Sequence, residues 1–278
     1  MKISEAFESY RQFCVFKNQS PKTEEQLMST LTLLLAYFGD IQIETLNFDL
    51  IRRWKSDLSK TRTDNTVRGY IIKLRMVLKH ARDSGIPVID YETIPVPQRA
   101  DTIPSYVSEE QVQKLIDFST RLRSKAIIAL LYSTGVRVSE LCSLNRDQVH
   151  DCRFSVVGKG GKARICFIDT RACTYLKEYL QTRTDNHSAL FISQTGKRVT
   201  PTNVQLLVRL AAKNAGYGAK HITPHTIRHG FATNLMQNGM HIYKVQRLMG
   251  HSSIQTTEQY LHVTDPDLQM DFKKYHSV

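Results

Sequence analysis

Four of the chain's eight prolines, Pro87, Pro95, Pro97 and Pro104, fall between Ile86 and Val107. Proline lacks the backbone donor a helix interior needs, and it pushes the preceding residue out of the α region. No apolar periodicity survives in this stretch, whereas helical periodicity is clear on both sides of it. The segment reads as an extended connector. It divides the 278 residues into a helical domain at 1–85, a linker at 86–107 and a larger domain at 108–278. The alternative, one long surface loop within a single domain, is disfavoured by its length.

Four helices are expected in the first domain. In Ile3 to Phe16, the residues Ala6, Phe7, Tyr10, Phe13 and Cys14 recur at helical spacing. Ser20-Pro21 opens a second helix that Gly39 ends after Phe38. A third spans Asn47 to Ser59 and includes Trp54. The fourth runs from Thr63 to Ser84, with Val67, Tyr70, Ile71, Leu74, Leu78 and Ala81 inward and Gly85 as its stop. Basic residues such as Arg52, Arg53, Lys55, Arg68, Lys73 and Arg75 lie on the third and fourth helices. They fit an ordinary solvated face. They also fit a grip on a phosphate backbone, which positions a protein without reading much sequence.

The formal net charge is +12, which favours a polyanionic partner, nucleic acid being the commonest. Cys14, Cys142, Cys152, Cys166 and Cys173 are odd in number and form no CxxC pair. Neither a disulfide framework nor a zinc knuckle is expected, and a reducing cytoplasm fits. The first residues have no long apolar core, so no signal peptide is expected. The longest apolar run, Ala126 to Tyr132, is too short to span a bilayer.

In the larger domain Ser108 to Gln111 is a capping-box signature ahead of an apolar helix. Arg121 to Thr134 reads as a buried helix broken by Gly135, and Val136 to Leu144 as a short helix. There Arg137 and Glu140 share a face, either as a surface ion pair or as a means of pinning the arginine. Arg153 to Gly158 and Ala163 to Ile168 alternate like strands around a tight turn bearing Lys159 and Lys162. A nucleotide-binding P-loop is excluded, because Ala163 follows Lys162 and strand–turn–strand is the wrong context. A lysine on such a turn can instead reach a DNA groove or a leaving oxygen. Helices are expected at Arg171 to Leu180 and from Pro201 to Lys213, with a strand-like piece at Leu190 to Ser193.

The stretch from Thr223 to Tyr260 concentrates the chemistry. Thr223 suits an N-cap and Pro224 the first helical position. A helix N-terminus favours an anion, and His225 and Arg228 share a face there. An arginine can hold a phosphate with two parallel donors. His221, His225 and His229 would also suit a metal by spacing, but neither an HExxH glutamate nor a cysteine pair supports that reading. Gly250 ends a helix, Ser252 and Ser253 can cap the next, and Tyr260 falls about two turns into it. Asp265-Pro266 opens a last short helix to Tyr275. Its Leu268, Met270 and Phe272 need a surface to dock on, in this subunit or a neighbour.

Taken in order, STGVRVSEL, VVGKGGKAR, TPHTIRHGFAT, LMGHSS and TTEQYLHV resemble the tyrosine recombinase (phage integrase, Xer-like) family. The resemblance covers Ser108 to about Thr264. It implies a mainly α fold with a small β-sheet: a SAM-like helical core-binding domain followed by the catalytic domain, with no arm-binding module ahead of them. It makes Arg137 and Arg228 the phosphate-clamping pair, Lys159 the catalytic lysine with Lys162 as the second candidate, His225 and His251 the two histidines, and Tyr260 the nucleophile. Glu140 matches an acidic helper. The resemblance further implies cleavage and rejoining of DNA through a 3′-phosphotyrosine and a Holliday junction, without metal or other cofactor. The partners implied are duplex DNA sites, a tetramer of this chain on two of them, and accessory proteins. A related DNA-relaxing or telomere-resolving enzyme, a non-catalytic DNA-binding relative and a metal-dependent nuclease are the competing readings.

Overall fold

The computed structural model describes residues 1–19, 21–98, 105–158, 163–218 and 222–250. The turn bearing Lys159 and Lys162, His221, His251, Tyr260 and the expected helix after Asp265-Pro266 lie outside them. The chain divides into two compact units, Met1–Thr102 and Ile103–Val278.

The first unit holds α1 (Ile3–Phe16), α2 (Pro21–Phe38), α3 (Phe48–Thr61) and α4 (Asp64–Asp83). Helix α1 packs on α2 and α4, and α4 also packs on α2 and α3. Each helix turns one apolar stripe inward, and Phe7, Leu27, Trp54 and Leu74 close the core. Asn47 caps α3 by accepting from the Leu50 amide at 3.0 Å. Residues 86–98, read above as part of an extended connector, run along this unit. They form a 3-10 turn at Tyr91–Thr93 and bury Ile94 in its core. The prolines forbid a long helix there, but they do not forbid packing.

The second unit is built on α6 (Leu122–Thr134), which is buried along Ala126–Tyr132 and so must be surrounded. It is covered by α5 (Glu109–Asp117), α8 (Thr170–Gln181), α9 (Pro201–Asn214) and α10 (Pro224–Gln237). The short α7 (Val138–Ser143) packs on α9, and α11 (Ile242–Met249) packs on α10. Strands β1 (Arg153–Val157) and β2 (Ala163–Phe167) pair antiparallel, Arg153 opposite Phe167 and Val157 opposite Ala163. Residues 190–193 form no strand of this sheet. Ile192 makes one isolated bridge to Arg198 across a turn that Gly196 closes in a left-handed conformation.

The cysteine expectation is corrected. Cys152, just before β1, and Cys173, in α8, form a disulfide with Cα atoms 5.8 Å apart. The pair is made by tertiary packing across 21 residues of sequence separation, so no local motif announces it. It also removes the ground on which a reducing compartment was expected. Cys14, Cys142 and Cys166 are free and buried. No helix among the described residues is long and apolar enough to cross a membrane.

Candidate active site

Gly135 ends α6 in a left-handed conformation, with φ at 58°. The Phe231 ring packs so closely on it that no Cβ could be accommodated. This turn delivers Arg137 to the N-cap of α7. Its backbone amide donates to Glu140 Oε2 at 2.8 Å, and its Nη1 donates to Oε1 at 2.9 Å. Glu140 is only 8% exposed, so the pair is no surface ion pair. Arg137 is one-third exposed, held from behind by a buried carboxylate, and its Nη2 donates to the Gly250 carbonyl at 3.2 Å.

Helix α10 carries the second arginine. Thr223 and Thr226 cap it reciprocally, amide to hydroxyl, at 3.2 and 2.8 Å. Gly230 lets the Val107 backbone lie against the helix, where the Val107 amide donates to Thr226 O at 3.2 Å. One turn in, Arg228 is buried. It donates from Nη2 to the Met249 carbonyl at 2.6 Å and from Nη1 to the Gly135 carbonyl. His225 is exposed at the helix start, beside a cavity of about 250 Å³ shared with Gln205 and Arg209 of α9. His229 is half-buried. Burial first, then the charges of His225 and Arg228, pull its imidazole down to about 4, so it is neutral at pH 7.

Arg137 and Arg228 thus approach the same place, the C-terminal end of α11. Gly250 ends that helix with φ at 62°, and His251 follows it in the chain. The glutamate that orients Arg137 carries its charge at any ordinary pH. Burial raises its pKa, but hydrogen bonds from Arg164 and from the Arg137 amide outweigh burial and hold it at about 2. Arg164, in β2, shares this carboxylate at 2.6 and 3.0 Å, and sequence reading gave it no role. Alternation alone would turn Ile165 and Phe167 inward and Arg164 to solvent, so the sequence carried no signal for it. No group of acidic, histidine or cysteine side chains able to hold a metal ion occurs among the described residues.

Two anchored arginines of a mostly helical domain, next to a capped helix N-terminus and an exposed imidazole, form a site suited to a phosphoryl group. Residues 105–266 match the model of the phage integrase family. The chain is 34% identical to the tyrosine recombinase XerD of Oceanobacillus iheyensis over 235 residues, 80% of this chain and 77% of that one. It is 30% identical to the tyrosine recombinase XerC of Pelobacter propionicus, over 94% of this chain and 91% of that one. Among solved structures, the XerA recombinase is similar over 99% of both chains, with a TM-score of 0.56 and 25% identity. A λ integrase dimer bound to a COC′ core site gives a TM-score of 0.80 over 94% of this chain and 77% of that one, at 16% identity, a likeness of fold. The chain belongs to the phage integrase family and is a tyrosine-type site-specific DNA recombinase.

Proposed function

We propose that the protein recombines duplex DNA through a covalent intermediate on Tyr260, with Arg137 and Arg228 clamping the scissile phosphate. The tyrosine oxygen attacks phosphorus, the bond to the 5′ oxygen breaks, and a 3′-phosphotyrosine and a free 5′-hydroxyl result. The bond energy is retained in the adduct, so the hydroxyl of a second strand can reverse the step without ATP. The arginines neutralise charge developing on the non-bridging oxygens. His225 takes the tyrosine proton, Lys159 protonates the leaving oxygen and His251 donates to the phosphate. Glu140 supports Arg137. Four subunits act on two DNA sites.

The observation that carries this reading is the convergence of Arg137 and Arg228 on the last carbonyls of α11, one residue before His251. Relatives named for tyrosine recombination support the chemistry. Structures of recombinases on DNA, including XerH on a difH substrate, support duplex DNA as the partner.

The test is a plasmid carrying two copies of a site taken from the protein's own genetic neighbourhood. Wild type should yield recombinant circles in the presence of a chelator. Arg137→Ala should lower their yield by about 10²- to 10³-fold, the usual cost of one charge-stabilising group. Relaxation of supercoils without recombinants would replace this reading with that of a DNA-relaxing enzyme.

A further inference from the structure

Arg164 is a buried charge of the second unit to which the reaction above gives no role. The Arg164 side chain, in β2, is 8% exposed. Nη1 and Nη2 donate to the two oxygens of Glu140 at 3.0 and 2.6 Å. Nε donates to the Leu248 carbonyl at 3.0 Å, one of the C-terminal acceptors that α11 cannot satisfy internally. A single planar guanidinium therefore ties together β2, the N-terminus of α7 and the end of α11.

Gly250 is shaped to this arrangement. A Cβ on it would lie 2.9 Å from Arg164 Nη1, and its backbone is left-handed. The last residue before His251 is thus fixed by its own conformation, by Arg137 on its carbonyl and by Arg164 against its Cα. A lysine carries the charge but cannot present a fork to a carboxylate and a third donor to a carbonyl at once.

We propose that Arg164 is a positioning residue of the recombinase site. Through Glu140 it orients the Arg137 guanidinium, and through Leu248 and Gly250 it sets the point from which the chain enters His251. It touches neither the DNA nor the reacting atoms. Its catalytic consequence rests on the function proposed above, whereas its structural consequence does not.

Two measurements on Arg164→Lys and Arg164→Met separate these. The first compares gel-shift affinity with the single-turnover rate of covalent adduct formation at saturating protein on a nicked duplex. Affinity should stay within about threefold of wild type while the rate falls about 10- to 100-fold, the usual loss when a supporting partner is removed. Arg164→Lys should recover part of the loss suffered by Arg164→Met. A rate unchanged once corrected for bound, folded protein overturns the proposal. The second is amide hydrogen exchange without DNA, which should quicken at residues 246–250 and stay unchanged in α1–α4. Unchanged exchange at 246–250 also overturns it. If wild type itself forms no adduct, the functional reading fails, and the exchange result still decides what Arg164 does.

Discussion

Both units carry solvent-facing ion pairs, and the second also carries a buried cluster of a different kind. In the first unit Arg11 bonds Glu8 and Glu24, Arg52 bonds Asp49 and Lys60 bonds Asp57, all in contact with solvent. In the second, Glu140 lies between Arg164 and Arg137 with only 8% of its surface exposed. Water can replace any partner lost from the first set. It cannot readily replace one lost from the second, because a buried charge without its partner keeps its full desolvation cost. The first set leaves a charged surface whose pairs contribute little to folding. The second sets the direction of a guanidinium.

The largest effect expected from this contrast is that of Glu140→Ala. It leaves the buried Arg164 guanidinium without its carboxylate partner and should cost about 3–5 kcal/mol in chemical denaturation of the second unit. A loss near zero would mean that water enters the cluster and that the two kinds of pair do not differ.

Acid gives the next effect, in two overlapping windows. His229 has a folded pKa of about 4 against an ordinary 6.5, so the unfolded chain binds its proton first. Stability should fall as pH drops from about 6.5 to 4, and His229→Gln should flatten this limb. Glu140, with its folded pKa at about 2, contributes stability that is complete above its ordinary 4.5 and is lost as pH falls toward 2. Denaturation midpoints measured between pH 8 and pH 3 check both limbs.

The smallest effect is that of Lys60→Ala. Removing this solvent-facing partner of Asp57 should leave the denaturation midpoint of the first unit unchanged within error. A shift as large as that of Glu140→Ala would erase the contrast.

The helices of both units were legible because their apolar stripes, caps and glycine stops are local. Gly250 illustrates this: read as a helix end, it is left-handed in the structure. What was not legible depends on which face of an element turns inward. In β2 the hydrophobic rule would bury Ile165 and Phe167, yet these are exposed, and Arg164 and Cys166 face the unit's interior. Two short strands do not fix their own inner face; the neighbours α6 and α11 do. For the same reason Glu140 read equally well as half of a surface pair. It is the third partner, 24 residues further along the chain, that makes it a buried one. The Cys152–Cys173 disulfide and the packing of Ile94 were hidden likewise, since spacing carries no signal for contacts that only the tertiary fold creates.

The central claim is that this chain stores a DNA phosphodiester on Tyr260. The most direct measurement incubates wild type and Tyr260→Phe with nicked suicide duplexes in chelator, then resolves covalent adducts on denaturing gels and maps the modified peptide. The account predicts a chelator-resistant adduct on the peptide containing Tyr260, absent from Tyr260→Phe. An adduct that persists in Tyr260→Phe, or DNA binding without any adduct on a duplex shown to contain the site, would contradict it.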